Sequence, residues 1–273
     1  MTHPVRQFPR VVWVLAALGA LVVVTPVAAL LIETPWSSFG DVLGDASVRG
    51  ALARSVGVAV GVAALSAVLG VPLALVLARS QRPWAGMLRR LVVLPLVLPP
   101  VAGGVALLLT VGRRGLLGGP LAGVGIEIPF TIAAVVVAQL FVAMPFVVVT
   151  VEAADRALPP EPEEIAATLG AGPARRLRSI TLPRLGGAIG SGVVLSWARA
   201  MGELGATLTL AGNLPGRTQT GPLLVLLALE SDPNAAVVVS VALLVVSVVL
   251  LVAGRGRWVP YIGSSSRSRR PGG

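Results

Sequence analysis

Apolar residues along this chain come in long runs separated by short polar stretches that carry most of its arginines. A bilayer-spanning helix needs about 20 predominantly apolar residues, and six runs answer to that description. The first, residues 11–32, follows a tail holding Arg6 and Arg10. It is longer than a signal-peptide core and lacks a small-residue cleavage site after it, so it reads as an anchor helix. The polar stretch 33–48 is expected outside, with Trp13 and Trp36 near the two interfacial ends of that helix. The second run, from about 49 to 78, is capped by Ser47 and carries Gly57-x-x-x-Gly61, a spacing that lets membrane helices approach closely. The third, 91–110, contains Pro95, Pro99 and Pro100 and then Gly103-Gly104, which predicts a kink or a break. A broken span is either a pathway element or a packing device. The fourth run, 130–151, holds Pro145. The fifth, 185–210, is the most polar and carries Arg199 and Glu203 one helical turn apart. Asp232-Pro233 caps the sixth, 234–253, and the Arg-, Ser- and Gly-rich tail from Gly254 predicts disorder.

Between the fourth and fifth runs lies a charged stretch, EPEEIAATLGAGPARRLRSITLP, residues 161–183. Prolines 160 and 162 with Glu161, Glu163 and Glu164 mark a helix start, where carboxylates meet the positive end of the dipole. Ile165 and Leu169 fall on one face beside the small Ala166 and Ala167. Gly170 is placed to end that helix in a left-handed cap, and Gly172-Pro173 opens a second one. The second helix would carry Arg175, Arg176 and Arg178 and end shortly before Pro183. The expected product is a compact helix–glycine–helix knob.

Charge then orients the whole. Hydrophobic residues make up 55% of the 273, charged residues 12%, and the mean hydropathy is +0.88, too apolar for a soluble domain of this size. All 22 basic residues are arginine and the formal net charge is +10. Sixteen of them fall in the N-terminal tail, the stretch after the second run, the loop 152–184 that contains the knob, and the C-terminal tail. The opposite loops, residues 111–129 and 211–232, hold Arg113, Arg114 and Arg217, with Arg49 and Arg54 near an outer end. By the positive-inside rule the knob and both termini are cytoplasmic, in an all-α, multi-pass membrane protein of six spans.

Chemistry is excluded more readily than assigned. No cysteine is present, and His3 stands alone in the tail, so neither a disulfide nor a dedicated transition-metal site is expected. There is no nucleophile–histidine–acid set and no G-x-x-x-x-G-K-[ST], nor a lysine to complete one. A polytopic membrane enzyme would need paired acids, histidines or metal ligands at a membrane surface, and none is found. A bare scaffold would have no use for the knob. The chain is therefore not an enzyme, and ATP with its Mg²⁺, if used, must be bound by another subunit.

Glu164, Ala166 and Gly170, followed after nine residues by Ile180, Leu182 and Pro183, resemble the EAA loop of bacterial ABC importer permeases. One departure stands out: Ile165 occupies a position that is usually alanine. The run SWARAMGELGATLTLAGNLPGRTQT (196–220), with LPLVLPPVAGG and GRRGLLG, is similar to the molybdate-type permeases, relatives of the sulfate type. Over roughly residues 50–253 the resemblance implies a type I ABC importer permease. Residues 1–48 would form a tail, first helix and outer loop; 49–253 the core with its EAA loop at 152–184; and 254–273 a cytoplasmic tail. The implied partners are a second copy of the chain, two ATP-binding subunits docking on the EAA loop, and an extracytoplasmic oxyanion-binding protein. The cargo implied is molybdate with tungstate as co-substrate; sulfate or thiosulfate is the alternative.

One constellation remains. Charges inside a span usually face a partner or a watery path. Arg199 and Glu203, with Gly202, Gly205 and Thr207, are therefore expected either to anchor packing or to line a path and gate at a dimer axis.

Overall fold

The computed structural model describes residues 9–258, and every regular element among them is helical. Helix α1 (Arg10–Ile32) is apolar all round and none of its residues is buried. Such a helix needs lipid or another chain around it. A short α2 (Phe39–Gly44) leads to α3 (Ala46–Arg79). The cap of α3 is Asp45 rather than Ser47. Its carboxylate accepts from the N–H groups of Ser47 and Val48, and the Ser47 hydroxyl donates to the same oxygen. A charged acceptor at the positive helix end outcompetes a hydroxyl two residues later. Gly57 and Gly61 pack against nothing among the described residues, since a Cβ on either would meet nothing within 4 Å.

The third apolar run is broken, as its prolines predict. Helix α4 (Pro83–Val97) stops at Leu98, which is extended with ψ 134° as a residue before proline tends to be. Helix α5 (Pro100–Val111) begins on Pro100, where the missing N–H costs nothing. Pro26, Pro72, Pro95 and Pro145 instead lie within helices that continue through them. A short α6 (Gly118–Gly123) precedes α7 (Ile132–Ala157), which runs a turn and a half past the expected end of its run.

The knob begins with α8 (Glu161–Thr168) and, after Gly170, continues in α9 (Pro173–Arg176). Its second half does not end before Pro183. It passes through a π-helical turn, Leu177–Thr181, into α10 (Leu182–Met201), with Pro183 in the first turn of that helix. Proline is tolerated there because first-turn N–H groups need no intrahelical partner. The fifth run is also split: α10 stops at Gly202 and α11 (Gly205–Ala211) follows. Within the stretch expected as an outer loop, GPLLVLLALES forms α12 (Gly221–Ser231), packed on α13 (Pro233–Trp258) and α3. Asp232 caps α13 by accepting from the Ala235 N–H. His3, Arg6 and residues 259–273, and with them most of the tail expected to be disordered, lie outside the described residues.

Among the described residues four helical stretches are long and apolar enough to cross a membrane: α1, α3, α7 and Pro233–Val252 of α13. The other two of the six expected spans are the two interrupted runs. The centre is the packing of α3, α7 and α10. Ala59, Ala63, Ala134, Ala138 and Ala200 let the three backbones approach, and Val62, Val142, Val147, Leu77 and Leu185 fill the space between.

Candidate functional site

The two helix breaks meet. Helix α11 packs on α5, and a Cβ on Gly205 would lie 2.7 Å from the Pro100 Cβ. From the other side, a Cβ on Gly104 would lie 2.5 Å from the Thr209 Cβ and 3.0 Å from the Ala206 Cα. Only glycine permits this approach. Gly205 is thus committed to α5 of its own chain, whereas Gly202, the last-turn cap of α10, is exposed and open.

Glu203 sits at the second break. One carboxylate oxygen is 2.5 Å from Arg199 Nη1, and the other accepts from the Ala206 N–H at 2.7 Å, closing the first turn of α11. The side chain of Glu203 is 1% exposed and that of Arg199 28%. A carboxylate this deep is tolerated because a cation and a helix N-terminus share it. Thr207 is wholly buried and its hydroxyl finds no partner among the described residues. Of the five residues read together in the sequence, Arg199 and Gly202 look outward, while Glu203, Gly205 and Thr207 look into the protein.

The loop after α11, rich in the residues that carried the resemblance, exposes its tip, residues 214–217, but buries its return and is bonded to its own backbone. Thr218, Gln219 and Thr220 are essentially inaccessible. Asn213 donates to the Leu223 carbonyl, and Thr218 accepts from the Leu214 N–H. From α3, Arg54 donates to the carbonyls of Gln219 and Gly216, and Ser55 accepts from the Gly221 N–H. These side chains hold a loop in shape. Among the described residues no three His, Cys, Asp or Glu are grouped to hold a metal ion.

At the opposite, arginine-rich end stands the knob. Gly170 has φ +83°, the left-handed region in which a Cβ is strained. Ile165 and Leu169 are 60% and 82% exposed, and Glu164 points outward too. Ala166 turns inward and, with Leu169, Arg175, Arg176, Ser179 and Ile180, lines a cavity of about 280 Å³ between the two halves. Leu182 and Pro183 belong to the start of α10.

Sequence reasoning missed what fastens the knob. Arg79, at the end of α3, donates to both oxygens of Asp155 at the end of α7 (2.8 and 3.0 Å) and to both oxygens of Glu163 on α8 (2.9 and 3.0 Å). The Thr181 hydroxyl, in the π turn, donates to Glu163 at 2.6 Å. Partial burial works to raise the Glu163 pKa, but the bonds from Arg79 and Thr181 hold it below the usual glutamate value. Next to this cluster Glu152 pairs with Arg89 and Arg156, and both arginines also donate to the Leu77 carbonyl. The available signal was the placement of Glu152 and Asp155, one turn apart at the end of one apolar run, against arginines closing or following another.

Comparison with known proteins completes the site. The family described as "Binding-protein-dependent transport system inner membrane component" matches residues 70–256. The molybdenum transport system permease protein ModB of Mycobacterium tuberculosis is 46% identical over 97% of this chain and 100% of its own length. The sulfate transport system permease protein CysT of Salmonella typhimurium is 33% identical over 85% of each chain. Among solved structures, a bacterial alginate ABC transporter in complex with alginate pentasaccharide-bound periplasmic protein superposes with TM-score 0.66. That match is at 15% identity, over 89% of this chain and 93% of that one.

Proposed function

The chain belongs to the binding-protein-dependent transport system inner membrane components, and we propose that it is the permease subunit of an ATP-driven importer of molybdate. It is a non-catalytic membrane subunit, as its relatives are. The observation that carries the substrate is the 46% identity to a molybdenum transport permease across that protein's whole length. Sulfate, carried by the 33% relative, is the second reading, and tungstate, also a tetrahedral dianion, is the expected co-substrate.

In this reading six spans cross the membrane, the third and fifth each completed by two shorter helices. Both termini and the knob face the cytoplasm, where arginine accumulates. Two copies of the chain enclose the path, two ATP-binding subunits seat the knobs, and a periplasmic oxyanion-binding protein delivers cargo from outside. The alginate transporter is solved with a periplasmic protein that holds an alginate pentasaccharide, which supports an assembly with a periplasmic partner in kind. ATP and Mg²⁺ belong to the partner subunits.

Glu164, Ala166, Gly170, Ile180, Leu182 and Pro183 form the coupling loop, in which exposed Ile165 and Leu169 are the surface offered to the ATP-binding subunit. The path runs along the outward side of the α10–α11 break. Arg199 attracts a dianion there, and Glu203 keeps it too well neutralised to trap one, since conduction needs weak sites. Gly202 gives the two copies room to close over that path. Glu203, Gly205 and Thr207 support the break from behind.

The test is uptake. Deleting the gene should lower molybdoenzyme activity at trace molybdate and be rescued by excess molybdate. A deletion strain that instead requires reduced sulfur, with molybdoenzymes intact, overturns the molybdate reading. Membranes carrying Gly170→Leu should contain the permease but lose the ATP-binding subunit and uptake. Labelling of Arg199→Cys by a membrane-impermeant reagent, in a chain that has no cysteine, reports whether the path reaches it.

A further inference from the structure

We propose that Glu163 is a positioning residue that couples the knob to the membrane helices, by fastening α8 at once to the ends of α3 and α7 and to the π turn that leads into α10. The proposal rests on the coupling-loop reading above and assigns the internal end of that linkage.

Three glutamates open α8, and they are not equivalent. Glu161 and Glu164 are exposed, whereas Glu163 turns toward the protein, its side chain 21% exposed. That carboxylate receives three donors: two nitrogens of Arg79 and the hydroxyl of Thr181. Arg79 is itself clamped by Asp155, so one guanidinium bridges α3, α7 and α8. A guanidinium presents a planar fork whose two edges each suit a carboxylate, so bidentate contacts fix angle as well as distance. Thr181 supplies the fourth helix. It lies in the wide turn joining the knob to α10, and π turns of this kind recur at functional positions.

The helix face decides the direction of force. Ile165 and Leu169 are exposed on α8, while Glu163 turns toward the protein. A subunit gripping the outer face therefore pulls on α8, and the pull is passed on through Glu163. Covalently α8 is joined to α9 through residues 169–172, with glycines at 170 and 172, and to α7 through Leu158, Pro159 and Pro160. The glycine-containing linker leaves that end of α8 free to turn. The Arg79–Asp155–Glu163–Thr181 cluster is what makes the knob and the central helices α3, α7 and α10 move as one body.

The experiment uses the complete transporter in proteoliposomes with its ATP-binding subunit and binding protein, and compares Glu163→Gln, Thr181→Val and Glu163→Asp with wild type. The readouts are retention of the ATP-binding subunit, stimulation of ATP hydrolysis by molybdate-loaded binding protein, and molybdate uptake. Glu163→Gln should retain the ATP-binding subunit within twofold yet lose the stimulation and at least tenfold of uptake. Thr181→Val should give a smaller loss of the same kind, and Glu163→Asp should recover part of it. Uptake and stimulation within twofold of wild type in Glu163→Gln overturn the proposal. Loss of the ATP-binding subunit itself from Glu163→Gln also overturns it, because the residue would then shape the docking surface. Gly170→Leu separates the two levels. If it loses the ATP-binding subunit while Glu163→Gln behaves as wild type, the coupling loop stands and the role of Glu163 falls. If both are silent, the coupling loop falls as well.

Discussion

An arginine–carboxylate contact lies near each end of α10, built from the same groups in opposite ways. At its start, Arg79 is shared by Asp155 and Glu163, its side chain is 45% exposed, and Thr181 adds a further donor. At its end, Arg199 meets one carboxylate, Glu203, which is almost wholly buried and also closes the next helix. The first contact is redundant and open to water on the arginine side, so it holds when one partner is lost. The second is single and dry, so losing it removes a charge partner and a helix start together. A shared chemistry thus serves fastening at one end and shape at the other, and burial decides which.

The comparison is most exposed to failure at Glu203. Glu203→Ala leaves Arg199 unpaired and the α11 N-terminus open, and should destabilise the fold by about 3 kcal/mol. Thermal denaturation in detergent reads this, and Glu203→Gln, which keeps an acceptor for the Ala206 N–H, should recover part of the loss. A Glu203→Ala protein as stable as wild type would remove the distinction between the two ends. Next comes Gly205→Ala, which forces α11 off Pro100. Overpacking of this kind costs about 1–3 kcal/mol, and the same melting experiment should place it below Glu203→Ala.

A smaller effect separates the wet end by pH. Because the folded Glu163 pKa is lowered from 4.5, its contribution is present above that value and lost as pH falls through the lowered one. Protection of the α8 amides, corrected for the intrinsic pH dependence of exchange, should be flat from pH 6 to 8 and fall only in acid. In Glu163→Gln that acid-dependent component should be missing. The smallest effect belongs to Arg113 and Glu127, which touch at 3.2 Å on an exposed surface. Arg113→Ala should change stability by no more than about 0.5 kcal/mol, and a larger change would mean that exposure does not rank these contacts.

Periodicity and proline spoke clearly in the sequence. The runs that became α1, α3, α7 and α13 were legible because each is continuous and apolar. The break at Pro99-Pro100 was legible because two prolines cannot continue a helix. The second break was not: Gly202 and Gly205 sit inside an apolar run, and glycine in a membrane helix announces close packing as readily as an end. The decisive group was Glu203, whose carboxylate replaces a backbone partner, and that depends on where Ala206 and Arg199 come to lie. Helix α12 was hidden for a related reason. Eleven residues, the last two Glu230 and Ser231, are too few to read as a span, and burial of Leu223 and Ala228 against other elements gives them a place. In the knob, Gly170 was read from its position alone. The Arg79 cluster joins residues up to 84 positions apart, beyond the reach of any local pattern.

The π turn at Leu177–Thr181 has a consequence for how this chain tolerates insertion and deletion. A π turn is an α-helix with one residue too many, and the widened turn absorbs that residue, so the helix on either side keeps its phase. Removing one residue between 177 and 180 would let the turn relax to a regular helix of 3.6 residues per turn with the knob and α10 still nearly aligned. A residue inserted where no wide turn absorbs it would instead rotate the knob by about 100° against α10 and swing Thr181 away from Glu163. The segment therefore tolerates shortening by one residue better than lengthening.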